Sequence, residues 1–195
     1  HRILSTATHL GDGVYGEATG QTLVYRIIAD CHAINNQIND EWLIRDQGAI
    51  VRQLGCDPKA YATDLIARQG GVADCVKPFT PDINIKGPYL GRGNDNAWGA
   101  RYADILQRVM RADLTAIPAE YDPACHLELP GGITTHGHDA ADRFWMGLRA
   151  SFPDATFTIE HQIGREDADM APRAALRWGL YGTHSGWGSF GAPTG

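Results

Sequence analysis

The chain carries one stretch of sequence twice, near its start and at its end. Residues 8–20 read Thr8-His9-Leu10-Gly11-Asp12-Gly13-Val14-Tyr15-Gly16-Glu17-Ala18-Thr19-Gly20, and residues 183–195 read Thr183-His184-Ser185-Gly186-Trp187-Gly188-Ser189-Phe190-Gly191-Ala192-Pro193-Thr194-Gly195. The two runs align without a gap at an offset of 175 residues; seven of the thirteen positions are identical, Tyr15 meets Phe190, and upstream Arg2 meets Arg177. One reading is a turn type shared by two Gly-rich runs. The other is a single period of a tandem repeat, cut twice at the same structural point. On that second reading the chain holds the back half of one domain and the front half of the next, with halves at 1–69 and 94–195 and a linker over 70–93.

An apolar content of 43% with five Trp suits a globular core. A net charge of −6 and a pI near 5.7 argue against a nucleic-acid partner, whose phosphates want a basic face, and equally against an anionic membrane surface. No apolar run reaches the roughly 18 residues of a membrane-spanning helix, and no signal peptide is visible. Cys31, Cys56, Cys75 and Cys125 are widely spaced with no C-x-x-C pair, which reads as reduced thiols of a cytoplasmic protein; their even number leaves a disulfide open.

Along the chain, residues 2–9, 22–32 and 37–45 read as an antiparallel meander, turned at Asn35-Asn36 because Asn tolerates positive φ. On the third strand Glu41, Leu43 and Arg45 share a face. Short helices follow over 47–54, ending at Gly55, and from Asp57-Pro58 to about Ala67. Pro78, Pro81 and Pro88 with Gly87, Gly91 and Gly93 mark the linker. Beyond it Asn94 or Asp95 caps a helix carrying Trp98, Tyr102, Ile105 and Val109. A short helix or turn over 113–119, a strand over 125–129 stopped by Pro130-Gly131-Gly132, and an amphipathic helix over 139–151 come next. Strands over 156–163 and 174–184 close the chain; on the last, Leu176, Trp178, Leu180 and His184 point the same way. Rotated at the linker, the order is helices first and meander last, the order of an α+β cone.

These residues resemble the SnoaL-like (polyketide cyclase, ester cyclase) branch of the NTF2-like superfamily. The signals in the second half are Tyr121-Asp122-Pro123, Leu129-Pro130-Gly131-Gly132, Gly137-His138-Asp139, Phe144-Trp145-Met146-Gly147-Leu148-Arg149, Phe152-Pro153-Asp154-Ala155, Arg177-Trp178 and Gly182-Thr183-His184-Ser185-Gly186. In the first half they are Thr8-His9-Leu10-Gly11, Glu41-Trp42, Asp46 and Arg52-Gln53-Leu54-Gly55. The resemblance implies an NTF2-like (cystatin-like) cone, a curved antiparallel sheet wrapped around helices, built here from permuted or domain-exchanged halves. It reads the chain as a piece of a tandem member, for instance of an incomplete reading frame. It implies a homodimer, strand- or domain-exchanged in one form, because an unpaired edge invites association.

The implied function is the binding of a small hydrophobic or polyketide-like molecule in the cone, with cofactor-independent acid–base cyclase, isomerase or hydrolase chemistry if active. The alternative is an inactive ligand-binding or oligomerisation module. In the family's cyclases an Asp directly after the hairpin's Glu-Trp pair removes the substrate proton; that position is Leu43, which moves no proton. His184 and His9, equivalent in the repeat, are the remaining catalytic candidates, or they fix the Gly-rich loop. Asp46 either assists in the pocket or caps the helix that starts beside it. Trp178, Trp145 and Tyr102 are candidate ligand-binding walls; Glu41 and Arg45 are pocket polar groups or a surface pair. No cofactor and no metal is expected: the resemblance explains Gly137-His138-Asp139 as the start of a helix with Asp139 as its cap.

Overall fold

The computed structural model describes residues 1–77 and 79–195; the linker's Pro78 lies outside the described residues. The chain divides into two units, each α+β. Unit 1 comprises His1–Tyr89 with Glu128–Thr134, and unit 2 comprises Leu90–Leu127 with Thr135–Gly195.

Unit 1 is built on the expected meander. Strands β1 (Arg2–Thr8), β2 (Thr22–Ile34) and β3 (Gln37–Arg45) pair antiparallel in the order β1-β2-β3. Asn35 and Asn36 both take positive φ, 50° and 61°, so the two-residue turn matches the twist of its strands. A bulge between His32 and Ala33 shifts the register near that turn. Helix α1 (Gln47–Gln53) ends at Leu54, with Gly55 at φ 80° as the expected left-handed stop. Ile50 and Leu54 pack on Leu23 of β2, with Tyr15 and Tyr25 beside them, and this small cluster is the unit's core. Helix α2 (Pro58–Arg68) starts as read, with Asp57 accepting from the Ala60 N–H and Pro58 in the first turn.

Unit 2 holds the larger core. Helix α3 (Ala97–Met110) is amphipathic and buries Ala103, Ile105, Leu106, Val109 and Met110. Its cap is Asn96, not Asn94 or Asp95: the Asn96 side chain accepts from the Trp98 N–H, while Asn94 is committed to Gly164 in both directions. Helix α4 (Ala116–Glu120) and helix α5 (His138–Ser151) close over α3 through Ile117, Ala141 and Trp145. Strands β6 (Thr156–Arg165) and β7 (Arg173–Tyr181) pair antiparallel and turn Phe157, Leu176, Trp178 and Leu180 onto the same core.

Strand β4 (His126–Leu129) ends at Pro130-Gly131-Gly132 as read, but the chain then returns as a further strand, β5 (Ile133–His136), and Gly131 and Gly132 take the positive φ the reversal needs. Two other readings differ in the structure. Helix α5 is preceded by Gly137 at φ 85°, so Asp139 sits in the first turn, not at the cap. Strand β7 ends at Tyr181, so His184 leaves the strand's alternation and does not share a face with Leu176, Trp178 and Leu180.

Two local devices hold unit 2 together. Residues 92–94 run beside β6 like a short third strand: Gln162 N–H donates to Arg92 O (2.9 Å) and Asn94 N–H to Gln162 O (3.0 Å). Gly93 lies between them at φ 105°, and a Cβ there would stand 1.6 Å from Gln162 O. At the end of α3, Arg108 bridges Asp113 (2.8 Å) and Glu120 (3.0 Å). The Thr115 hydroxyl first, then the Arg108 guanidinium, hold the Asp113 carboxyl down at about 2.

Gly93→Ala therefore combines a forbidden backbone conformation with a backbone collision, and a loss of about 1–3 kcal/mol is expected in urea titration. The Asp113 carboxylate stabilises the fold at any pH above its unfolded value of 3.8, and that contribution disappears as the pH falls through about 2. Thermal midpoints of wild type and Asp113→Asn should differ by a constant amount above about pH 5 and converge towards pH 2.

Candidate functional site

The two Gly-rich runs share one conformation. In each, the histidine Nδ1 bonds the hydroxyl of the threonine ten residues on, His9 to Thr19 and His184 to Thr194, both at 3.1 Å. In each, a glycine pair forms a bridge, Gly13 with Gly16 and Gly188 with Gly191. Leu10 N–H donates to Thr8 O (2.9 Å) as Ser185 N–H does to Thr183 O (2.8 Å), and Gly20 N–H donates to His9 O as Gly195 N–H does to His184 O. Gly16 and Gly191 both take positive φ. The histidines thus fasten their loops through Nδ1. His184 Nε2 is buried and has no hydrogen-bond partner, and the rings of Phe152 (5.4 Å between centroids) and Phe190 (6.1 Å) flank it.

Asp46 is an anchor. Its Oδ1 accepts from the N–H groups of Ala49 (3.0 Å) and Gly131 (2.9 Å), and its Oδ2 accepts from Gly132 N–H (2.8 Å). One carboxylate thus caps α1 and holds the β4–β5 turn. With both oxygens engaged by backbone donors, it has little capacity left for a substrate proton.

Glu41 and Arg45 are exposed on β3. Four residues along a strand separate them by about 13 Å, too far for a direct pair. Glu41 instead accepts from the Cys31 thiol across the ladder (3.3 Å); burial first and this carboxylate second push the thiol's pKa up. Leu43 lies between them, opposite Ala29.

Tyr102, Trp145 and Trp178 do come together, in unit 2. The Trp145 ring lies 6.3 Å from Trp178 and 4.9 Å from Phe144, and Trp178 lies 5.6 Å from Phe157. Into this wall reaches a residue absent from the candidates read off the sequence, Tyr121, whose hydroxyl accepts from the Trp145 indole N–H (3.2 Å). Burial, with neighbouring Tyr102 adding to it, pushes the Tyr121 phenol up to about 12, and burial raises Tyr102 as well. Two phenols that keep their protons in apolar surroundings are hydrogen-bond donors, not bases. The signal for Tyr121 stood in the Tyr121-Asp122-Pro123 motif, but nothing in spacing says that this tyrosine turns inward.

The candidates therefore fall into separate groups: His9, Asp46, Glu41 and Arg45 in unit 1, and His184 with the aromatic wall in unit 2. A concavity in unit 2, an open polar groove of about 240 Å³ lined by Arg92, Asn94, Glu160 and His161, follows the seam beside β6. Among the described residues no group of three or more His, Cys, Asp or Glu is arranged to hold a metal ion, and no helix is long and apolar enough to cross a membrane.

Compared with known proteins, residues 100–195 match the family model of the SnoaL-like domain. No curated protein and no solved structure matches the chain.

Removing the Asp46 carboxylate strands three backbone donors at once. Asp46→Ala is expected to cost about 2–3 kcal/mol in urea titration, more than a lost cap alone, and Asp46→Asn, which keeps the oxygen facing Ala49 and Gly131, should recover about half.

Proposed function

Residues 100–195 belong to the SnoaL-like family, with its NTF2-like α+β fold, and from that premise we propose that the chain binds a small apolar molecule bearing a carbonyl group, of polyketide type, against the aromatic wall of unit 2. The observation that carries this reading is the pair of half-buried phenols, Tyr102 and Tyr121, packed on the core that holds the Trp145 indole. Ring faces of Phe144, Trp145 and Trp178 offer apolar contact, and the phenol protons suit a carbonyl oxygen. Tyr121 accepts from Trp145, which leaves its own proton to give.

Such a site holds and polarises a carbonyl without removing a proton from its neighbour. A proton-abstracting step needs a carboxylate or imidazole with an available lone pair near the reacting carbon. Asp46 is spent on backbone donors, and Leu43 stands where the family's cyclases carry Asp. Binding without turnover is therefore the first reading. Cofactor-independent acid–base chemistry at His184 is the second, favoured by its buried, unpartnered Nε2 between Phe152 and Phe190.

Fluorenone, a tricyclic ketone with no exchangeable α-proton, is a suitable binding probe. Saturable quenching of tryptophan fluorescence is expected, unchanged from about pH 6 to about pH 9 because burial raises both phenols above their ordinary value. Tyr102→Phe and Tyr121→Phe should each weaken it about 2- to 10-fold. Absence of quenching, or equal affinity in both phenylalanine variants, would overturn the reading. Deuterium exchange at the α-carbon of α-tetralone above the buffer rate, abolished by His184→Gln, would install the second reading in its place.

A further inference from the structure

His126 and His136 meet across the β4–β5 hairpin. One opens β4 and the other closes β5, with residues 130–132 as the turn, so the two stand opposite each other. Just outside them Gly137 N–H donates to Cys125 O (2.9 Å). In an antiparallel ladder, the pair next to a hydrogen-bonded pair is the one whose side chains approach most closely. The imidazole rings do so: their centroids lie 4.9 Å apart, with the planes at 88°. Both residues are exposed, so ions in solution reach them directly.

That spacing suits a chelate. An imidazole nitrogen binds zinc at about 2.0–2.1 Å. The ring centroid then stands about 3.2 Å from the ion, and two rings at ligand angles of about 90° to about 109° have centroids about 4.5–5.2 Å apart. The observed 4.9 Å falls inside that range. Strand pairing also supplies what two flexible histidines lack. Asp46 fixes the turn by accepting from the Gly131 and Gly132 N–H groups. The second ring is therefore in place when the first binds, and most of the ordering cost falls on the fold.

We propose that His126 and His136 form a binding site for one zinc-class divalent cation, the two imidazoles supplying adjacent ligands and water the rest. Imidazole nitrogen selects late first-row ions over magnesium and calcium, which take oxygen. Neighbouring donors are committed elsewhere. Glu128, next on the same face of β4, pairs with Arg2 and Arg26. His138 donates from Nε2 to Tyr121 O (2.8 Å). Cys125 lies towards Tyr121, where it adds to the rise of that phenol. Two protein ligands are fewer than a structural zinc site has, so the ion exchanges readily. Bound there, it closes the open end of the hairpin, from which the chain leads back to Tyr121 and on to α5. The site makes no use of the aromatic wall and is independent of the small-molecule reading.

The test uses the intact chain, labelled with nitrogen-15, and zinc chloride as probe. Zinc is expected to shift the imidazole nitrogens of His126 and His136 together and saturably, at one ion per chain, and to raise the thermal midpoint. Magnesium should do neither. His126→Gln and His136→Gln alter exposed side chains, so the thermal midpoint without zinc should hold. Each should weaken zinc binding at least about tenfold, and the double variant should be little worse than either, because one imidazole alone makes no chelate. No shift at His126 and His136 with about 1 mM zinc, an equal response to magnesium, or unchanged affinity in either variant would overturn the proposal. So would zinc-dependent dimerisation seen by sedimentation at one ion per two chains, which would make each histidine a bridge between copies.

Discussion

Unit 2 depends on backbone meeting backbone with nothing between. Gly93 lies against Gln162 O, Gly99 of α3 against the Gly164 backbone of β6, and Gly186 and Gly188 against the last turn of α5. Each approach is closer than a Cβ permits, so each position admits only glycine. These contacts set how α3 lies on β6 and how the C-terminal run lies on α5. The side-chain core of Leu106, Val109, Ile117 and Trp145 then fills the space that remains. Apolar burial supplies the driving force, but it is non-directional; the glycine contacts give it a single geometry.

That geometry decides what the aromatic residues can do. Packed among Phe144, Phe157 and Trp178, Trp145 needs a partner for its indole N–H and finds the Tyr121 oxygen. Burial then keeps both tyrosines protonated, and the wall acquires donors without acquiring a base. Carboxylates in the chain serve elsewhere, Asp46 on backbone N–H groups and Asp113 on Thr115 and Arg108. Binding by shape and hydrogen bonding follows more directly from this distribution than proton transfer does.

Much of the fold was legible in the sequence, for local reasons. The Asn35-Asn36 reversal, the Asp57-Pro58 helix start and the Gly55 stop each rest on the conformational preference of one or two residues. The stripe of α3 followed from the 3.6-residue period. Misreadings fell where a distant partner decided. Asn94 lost the cap of α3 because Gly164 claims its amide, and His184 left the strand because the last Gly-rich run turns onto α5. Tyr102, Trp145 and Trp178 pack around one core, as their spacing suggests, while the inward turn of Tyr121 is set by the packing of α4 and α5 and is not written in its motif.

The sequence by itself determined the α+β class, the family of residues 100–195, and the equivalence of the two Gly-rich runs, since all three are written in residue order and local preference. Tertiary structure alone decided that the second run is seated on α5, that Asp46 is an anchor, and that the Tyr121 hydroxyl meets the Trp145 indole. The physical reason is that a backbone conformation is selected within a few residues, whereas burial, pairing and proton affinity depend on which remote atoms arrive beside a group.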